Sequence, residues 1–180
     1  MLRRHYADIE ALNEDKIMGV LTLFYRRTGS QHTMIKFISG DILRANSEFI
    51  ALGVATGAPE GVGAGAGAAQ KLSSKWPEVQ KHLRQFTRGN KFQGGDLFVV
   101  APGKNRPGVI FIAAMSDAEN VSASFLNRGL RKLARYCIKH KVESVALPKI
   151  AAGLDWESEV LPLIEKFLDG EKTEFYVYED

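Results

Sequence analysis

The sequence predicts an α/β domain, a sheet of short strands covered by helices on both faces. Three observations predict it. From Met34 onward, short apolar runs alternate with amphipathic stretches of helical period. A run carrying Gly57, Gly61, Gly63, Gly65 and Gly67 joins one apolar run to a helical stretch. The composition is that of an ordinary globular chain, 180 residues with 45% hydrophobic and 25% charged. That length suits one domain with a core of its own.

The first 33 residues stand apart as an accessory segment. Ile17 to Tyr25 is apolar and reads equally as strand or helix, and Arg26 to Thr33 is a polar linker. Asp8, Glu10, Glu14 and Asp15 lie between the early arginines and the apolar patch, which argues against a signal peptide. The regular pattern then runs from 34 to 180. Met34 to Ile38 alternates like a strand, and Ser39-Gly-Asp41 turns the chain. Phe49 to Ala55 reads as a buried strand and Ala68 to Gln85 as a helix interrupted at Trp76-Pro77. Asp96 to Ala101 and Val109 to Ala114 are strands joined by a turn rich in proline and glycine. Val121 to His140 is an amphipathic helix with Val121, Phe125, Leu130, Leu133, Cys137 and Ile138 as its inner stripe. Ser144 to Leu147 is a strand, Pro148 to Gly153 a loop of small residues, Trp156 to Leu168 a helix, and Phe175 to Tyr178 the closing strand.

Charge and composition narrow the function. Lys and Arg number 24 against 21 Asp and Glu, and the net charge of +3 suits an anionic ligand without demanding nucleic acid. The basic faces Lys81 to Arg88 and Arg128 to Arg135 read as solvated helix surfaces, with no aromatic platform interleaved, which argues against direct nucleic-acid binding. Cys137 is the only cysteine, so there is no disulfide and a reducing compartment, the cytoplasm, is expected. His5, His32, His82 and His140 have no metal-ligand spacing, and no metal or cofactor is expected. The apolar runs are too short to span a membrane. A monomer is expected.

A glycine-rich turn from strand to helix lets bare backbone approach a ligand and aims free N–H groups at an anion. Two phosphate cradles fit poorly. No Gly-Lys-Ser/Thr occurs, which excludes the P-loop. Gly63-Ala-Gly65-Ala-Gly-Ala68 meets a relaxed dinucleotide fingerprint, but the acidic residue expected about 20 positions later at a strand end is missing.

Three motifs, in order, carry a resemblance. They are Ile35-Lys-Phe-Ile-Ser-Gly-Asp41-Ile42, the Gly65-Ala-Gly67 loop leading through Lys75-Trp-Pro-Glu-Val79, and Leu147-Pro-Lys-Ile-Ala-Ala-Gly-Leu-Asp155-Trp. Met34 to Asp180 is similar to a macro domain, the ADP-ribose-binding module. It most resembles the branch that includes terminal ADP-ribose protein glycohydrolase and the antitoxins that remove ADP-ribose from DNA. The resemblance implies a three-layer α/β/α fold with a mixed central sheet. It implies that Asp41 accepts from an adenine amine while the Ile42 N–H donates to a ring nitrogen. Gly65, Ala66 and Gly67, with Ile150, Ala151, Ala152, Gly153 and Leu154, would clasp diphosphate and distal ribose through backbone N–H groups. Asp155 would orient or deprotonate a nucleophile at the distal ribose; it would equally serve as a helix N-cap before Trp156-Glu157.

The chain also departs from the family. No Asn lies between Asn46 and Asn90, and Ile112 to Ser116 lacks the lysine of the glycohydrolase branch. Position 151 is Ala where the family usually has Gly. The expected function is ADP-ribose binding with hydrolysis at the distal ribose, of a 1″-phosphate or of ADP-ribose from a modified macromolecule. The alternatives are a reader without chemistry and, behind it, a nucleic-acid-binding module.

Overall fold

The computed structural model describes residues 35–56, 67–89, 91–115, 120–150 and 153–179. Six strands form one sheet: β1 Ile35–Ser39, β2 Phe49–Ala55, β3 Leu97–Val100, β4 Gly108–Met115, β5 Ser144–Pro148 and β6 Glu174–Glu179. Their order is β1-β6-β5-β2-β4-β3. The β3–β4 pair is antiparallel and the others parallel, so the sheet is mixed, as expected. The helices are α1 Ala68–Lys75, α2 Pro77–Gly89, α3 Ala123–His140 and α4 Leu161–Leu168.

Alternation along the strands divides the core in two. Phe49, Ala51 and Ala55 of β2 and Ile110, Ile112 and Ala114 of β4 pack with α3 and α4. Ile50, Leu52 and Val54, with Val109, Phe111 and Ala113, pack with α1 and α2. Every residue of β4 is buried, because a strand covered on both faces has no solvent side. Phe175, fully buried on β6, contributes roughly 1.5–3 kcal/mol by the usual transfer value for such a side chain.

Local chemistry fixes the helix ends. The residue before a proline is forced out of the helical region, and Trp76 sits at φ −132°, ψ 72°. Pro77 then opens α2 in the first-turn position that tolerates it. The helix expected over 68–85 is therefore two helices, and the second runs on to Gly89. The helix expected from Trp156 to Leu168 opens instead as a π turn, Trp156–Val160, before α4. Pro162 has no N–H, and its ring would strike the carbonyl four residues back in a continuous α-helix. The wider turn relieves this: the Val160 N–H donates to the Asp155 carbonyl at 3.3 Å and the Leu161 N–H to that of Trp156.

The α3 stripe also needs correction. Leu126, Gly129, Leu130, Leu133, Ala134 and Cys137 face inward, spaced at three and four residues. Ile138, expected inside, is 58% exposed, since the position after Cys137 lies about 100° around the helix. Phe125 is only half-buried. Val121 precedes the helix in an isolated bridge to Met115. No described helix is long and apolar enough to cross a membrane. Among the described residues no group of His, Cys, Asp and Glu is able to hold a metal.

Candidate functional site at the carboxyl edge of the sheet

Five parallel strands end on one edge of the sheet, where α/β folds bind ligands. Across that edge stand Asp41 after β1, Glu179 closing β6, Lys149, Ile150 and Gly153 to Asp155 after β5, Gly67 entering α1 after β2, and Asn120 beyond β4. Four strand spacings of about 4.8 Å make this row about 19 Å long, enough for an extended dinucleotide-sized ligand.

Asp41 lies where the sequence places it. Its Oδ1 accepts from the Leu43 N–H at 3.0 Å, capping the short 3-10 turn Ile42–Arg44. Its Oδ2 is 3.9 Å from Arg44 Nε, and the side chain is 45% exposed. One carboxylate oxygen thus holds the turn while the other is only loosely engaged. Ile42 is buried beneath. Lys75, at the end of α1, donates to the Leu43 carbonyl at 2.8 Å and ties the first-loop helix to this turn.

Gly67 caps α1 at φ 77°, ψ −132°, with no side-chain cap. A Cβ there would meet nothing within 4 Å. The first N–H groups of a helix have no intrahelical partner, so the α1 N-terminus, with the exposed Gly67 at its cap, is an anion-receptive end. Gly65 and Ala66, named with Gly67 from the sequence, lie outside the described residues.

In the second loop Ile150 is buried, its Cγ2 3.4 Å from where a Gly53 Cβ would stand. Gly153 is at φ 80° and Leu154 packs on the core. Ala151 and Ala152 lie outside the described residues.

Asp155 opens the π turn. Its Oδ1 accepts from Ser158 N–H at 2.8 Å and Ser158 Oγ at 2.5 Å, while its own N–H donates to Glu159 Oε2 at 2.8 Å. This reciprocal arrangement is the capping-box logic. The hydrogen bonds from Ser158 hold the exposed Asp155 carboxyl below its usual range. The structure thus gives Asp155 the helix-opening role that the sequence left open beside the catalytic one.

Three residues at this edge escaped the sequence reading. Asn120 comes from the β4 side and reaches the second loop: its Oδ1 is 2.9 Å from where a Gly153 Cβ would stand. Its only sequence signal is a polar residue two positions before the helix cap Ser122. Tyr178 on β6 neighbours Asp41; burial and then the Asp41 charge raise its phenol above the usual range. Lys149 lies over the Trp156 ring at 5.1 Å and 3.4 Å from Glu179 Oε1, adding a cation to the middle of the edge.

No protein-family model and no curated protein matches the sequence. Solved structures do. The macrodomain of Thermus aquaticus DarG superposes with a TM-score of 0.70 at 23% identity, covering 81% of this chain and 98% of that one. The macrodomain of Mycobacterium tuberculosis DarG gives 0.68 at 22%, covering 83% and 99%. Thermosipho africanus DarTG, solved in complex with ADP-ribose, gives 0.69 at 16%, covering 80% of this chain and 41% of that chain. The mixed sheet, the helices on both of its faces and these superpositions give one conclusion: the chain has the macrodomain fold.

Proposed function

We propose that this protein binds ADP-ribose along the carboxyl edge of its sheet and hydrolyses a bond at the distal ribose. The observation that carries the binding is the glycine-capped N-terminus of α1, with Gly67 exposed at that edge. A diphosphate there gains from the partial positive charge and the unpaired N–H groups without any lysine. Asp41 takes the adenine amine on the oxygen not spent on Leu43, and the Ile42 N–H serves the ring nitrogen. Gly65, Ala66 and Gly67, with Ile150, Ala151, Ala152, Gly153 and Leu154, clasp diphosphate and distal ribose through backbone N–H groups. The likeness in fold to a DarTG that was solved with ADP-ribose supports this reading.

For the chemistry, Asp155 is the ionisable side chain proposed to orient or deprotonate water at the distal ribose. Its carboxyl is held ionised, which makes it an acceptor at every physiological pH but a weak base. That same observation favours a second reading, a reader of ADP-ribose without turnover. The leaving group is either a 1″-phosphate or a macromolecule carrying ADP-ribose.

Calorimetric titration with ADP-ribose, followed by turnover assays on ADP-ribose 1″-phosphate and on protein- and DNA-linked ADP-ribose, tests both parts. Micromolar or tighter binding is expected, with release of one of these groups. Absence of heat at millimolar ADP-ribose overturns the binding, and binding without turnover on any of these substrates leaves the reader.

A further inference from the structure

The positive charge of this chain is unevenly placed. Segment 79–95 holds four lysines and arginines and segment 120–142 holds six, and neither contains an aspartate or glutamate. The fold brings parts of both to one place, the outer edge of β3. A groove of about 410 Å³ there is lined by Lys91, Lys132, Arg135 and Lys139 together with Leu97 of β3. A second cavity of about 420 Å³ is lined by His82 and by Phe98, Val99 and Val100 of the same strand. Lys132 is neutralised by Asp96 Oδ1 at 2.6 Å. Among the described residues no ion pair engages the exposed Lys91, Arg135 or Lys139.

Among the described residues no strand pairs with the outer side of β3. β3 is an outer strand of the sheet and carries neither the proline nor the lysine that normally blunts an edge. The Ala113 N–H donates to the Asp96 carbonyl at 2.9 Å. Backbone groups alternate in direction along a strand, so Phe98 and Val100 face β4 while Leu97 and Val99 turn their N–H and C=O groups outward. Side chains alternate too: Leu97 and Val99 lie on the α3 face, Phe98 and Val100 on the α2 face.

We infer that this edge takes up an extended acidic segment of a partner protein as an added strand. Its backbone pairs with Leu97 and Val99. Its carboxylates, on the α3 side, meet Lys91, Arg135 and Lys139, and its apolar side chains enter the cavity beside His82 and Phe98. Main-chain pairing supplies affinity, and the alternation of acidic with apolar residues supplies specificity. A nucleic acid strand fits the charge but lacks a platform for its bases. Phe86 already stacks on Phe98 at 4.4 Å and Tyr136 lies against His140 at 4.4 Å.

The test is an anisotropy titration of the full chain with a fluorescent decapeptide of alternating valine and glutamate. Saturable binding is expected, weakened at least tenfold by Arg135→Gln with Lys139→Gln and abolished by N-methylating alternate peptide amides. Saturation with ADP-ribose leaves it unchanged, which separates this edge from the proposed nucleotide site. Circular dichroism of the glutamine variants confirms that they fold, and the N-methylated peptide tests strand pairing without altering the protein. The inference is overturned by absence of binding, by an N-methylated peptide that binds equally well, or by an oligothymidylate that binds more tightly through the same residues.

Discussion

Ser158 donates twice to one oxygen of Asp155, through its N–H at 2.8 Å and its hydroxyl at 2.5 Å. Asp155 therefore anchors the π turn whatever it does for a ligand, and an alanine variant would remove cap and carboxylate together. Serine and asparagine both cap helices well, so Asp155→Ser and Asp155→Asn keep the first role and remove the second. In an enzyme, turnover by both should fall about 10²–10⁴-fold while ADP-ribose affinity stays within a few-fold. Full activity in a folded Asp155→Ser protein would remove Asp155 from the chemistry.

Asp41 poses the same problem, since its Oδ1 caps the 3-10 turn. Asp41→Asn retains an acceptor for Leu43 but loses the charge offered to an adenine amine. A charge-assisted hydrogen bond in a desolvated site contributes about 1.5–3 kcal/mol. Calorimetry should show ADP-ribose affinity about ten- to a hundredfold weaker for Asp41→Ala and an intermediate loss for Asp41→Asn. Wild-type affinity in Asp41→Ala would refute the adenine assignment.

Gly153 combines a left-handed backbone with a close neighbour, Asn120. Gly153→Ala incurs roughly 1–2 kcal/mol of backbone strain, and its methyl also displaces the Asn120 amide. Denaturant melts should show that loss, with a lower transition midpoint. Adding Asn120→Ala should recover the steric part and leave the strain. Complete recovery would mean the backbone at 153 is not left-handed.

Cys137 reports on the core. Burial pushes its thiol up to about 12, so at pH 8 the folded protein presents almost no thiolate. Labelling by a maleimide should be slow in buffer and fast in denaturant. The sign of the linkage follows. Folding favours the protonated thiol, so this contribution to stability is full below the unfolded pKa near 9 and falls as pH rises toward 12. Rapid labelling of native protein at pH 8 would contradict the packing of α3 against the sheet.

Much of the fold was legible because its causes are local. The apolar run Phe49–Ala55 became β2, and the two positions of a pre-proline break, Trp76 and Pro77, became the α1–α2 corner. The π turn was hidden because Pro162, which causes it, sits within an otherwise good helical pattern. Ile138 was misplaced because an apolar residue beside a true core position looks the same on a coarse stripe.

The sequence by itself determined where most strands and helices lie, where glycine permits bare backbone, and that the chain turns at Asp41; Asp155 it left between a helix cap and a catalytic group. Only the tertiary structure decided the strand order, which sets β1 against β6 although 138 residues separate the Lys36–Glu174 ion pair that joins them. It alone put Asn120 against Gly153, Tyr178 beside Asp41, and the outer edge of β3 beneath the cations of α3. The physical reason is range. Propensity, capping and proline act within a few residues, whereas parallel pairing joins distant segments and is settled by the burial of both faces at once.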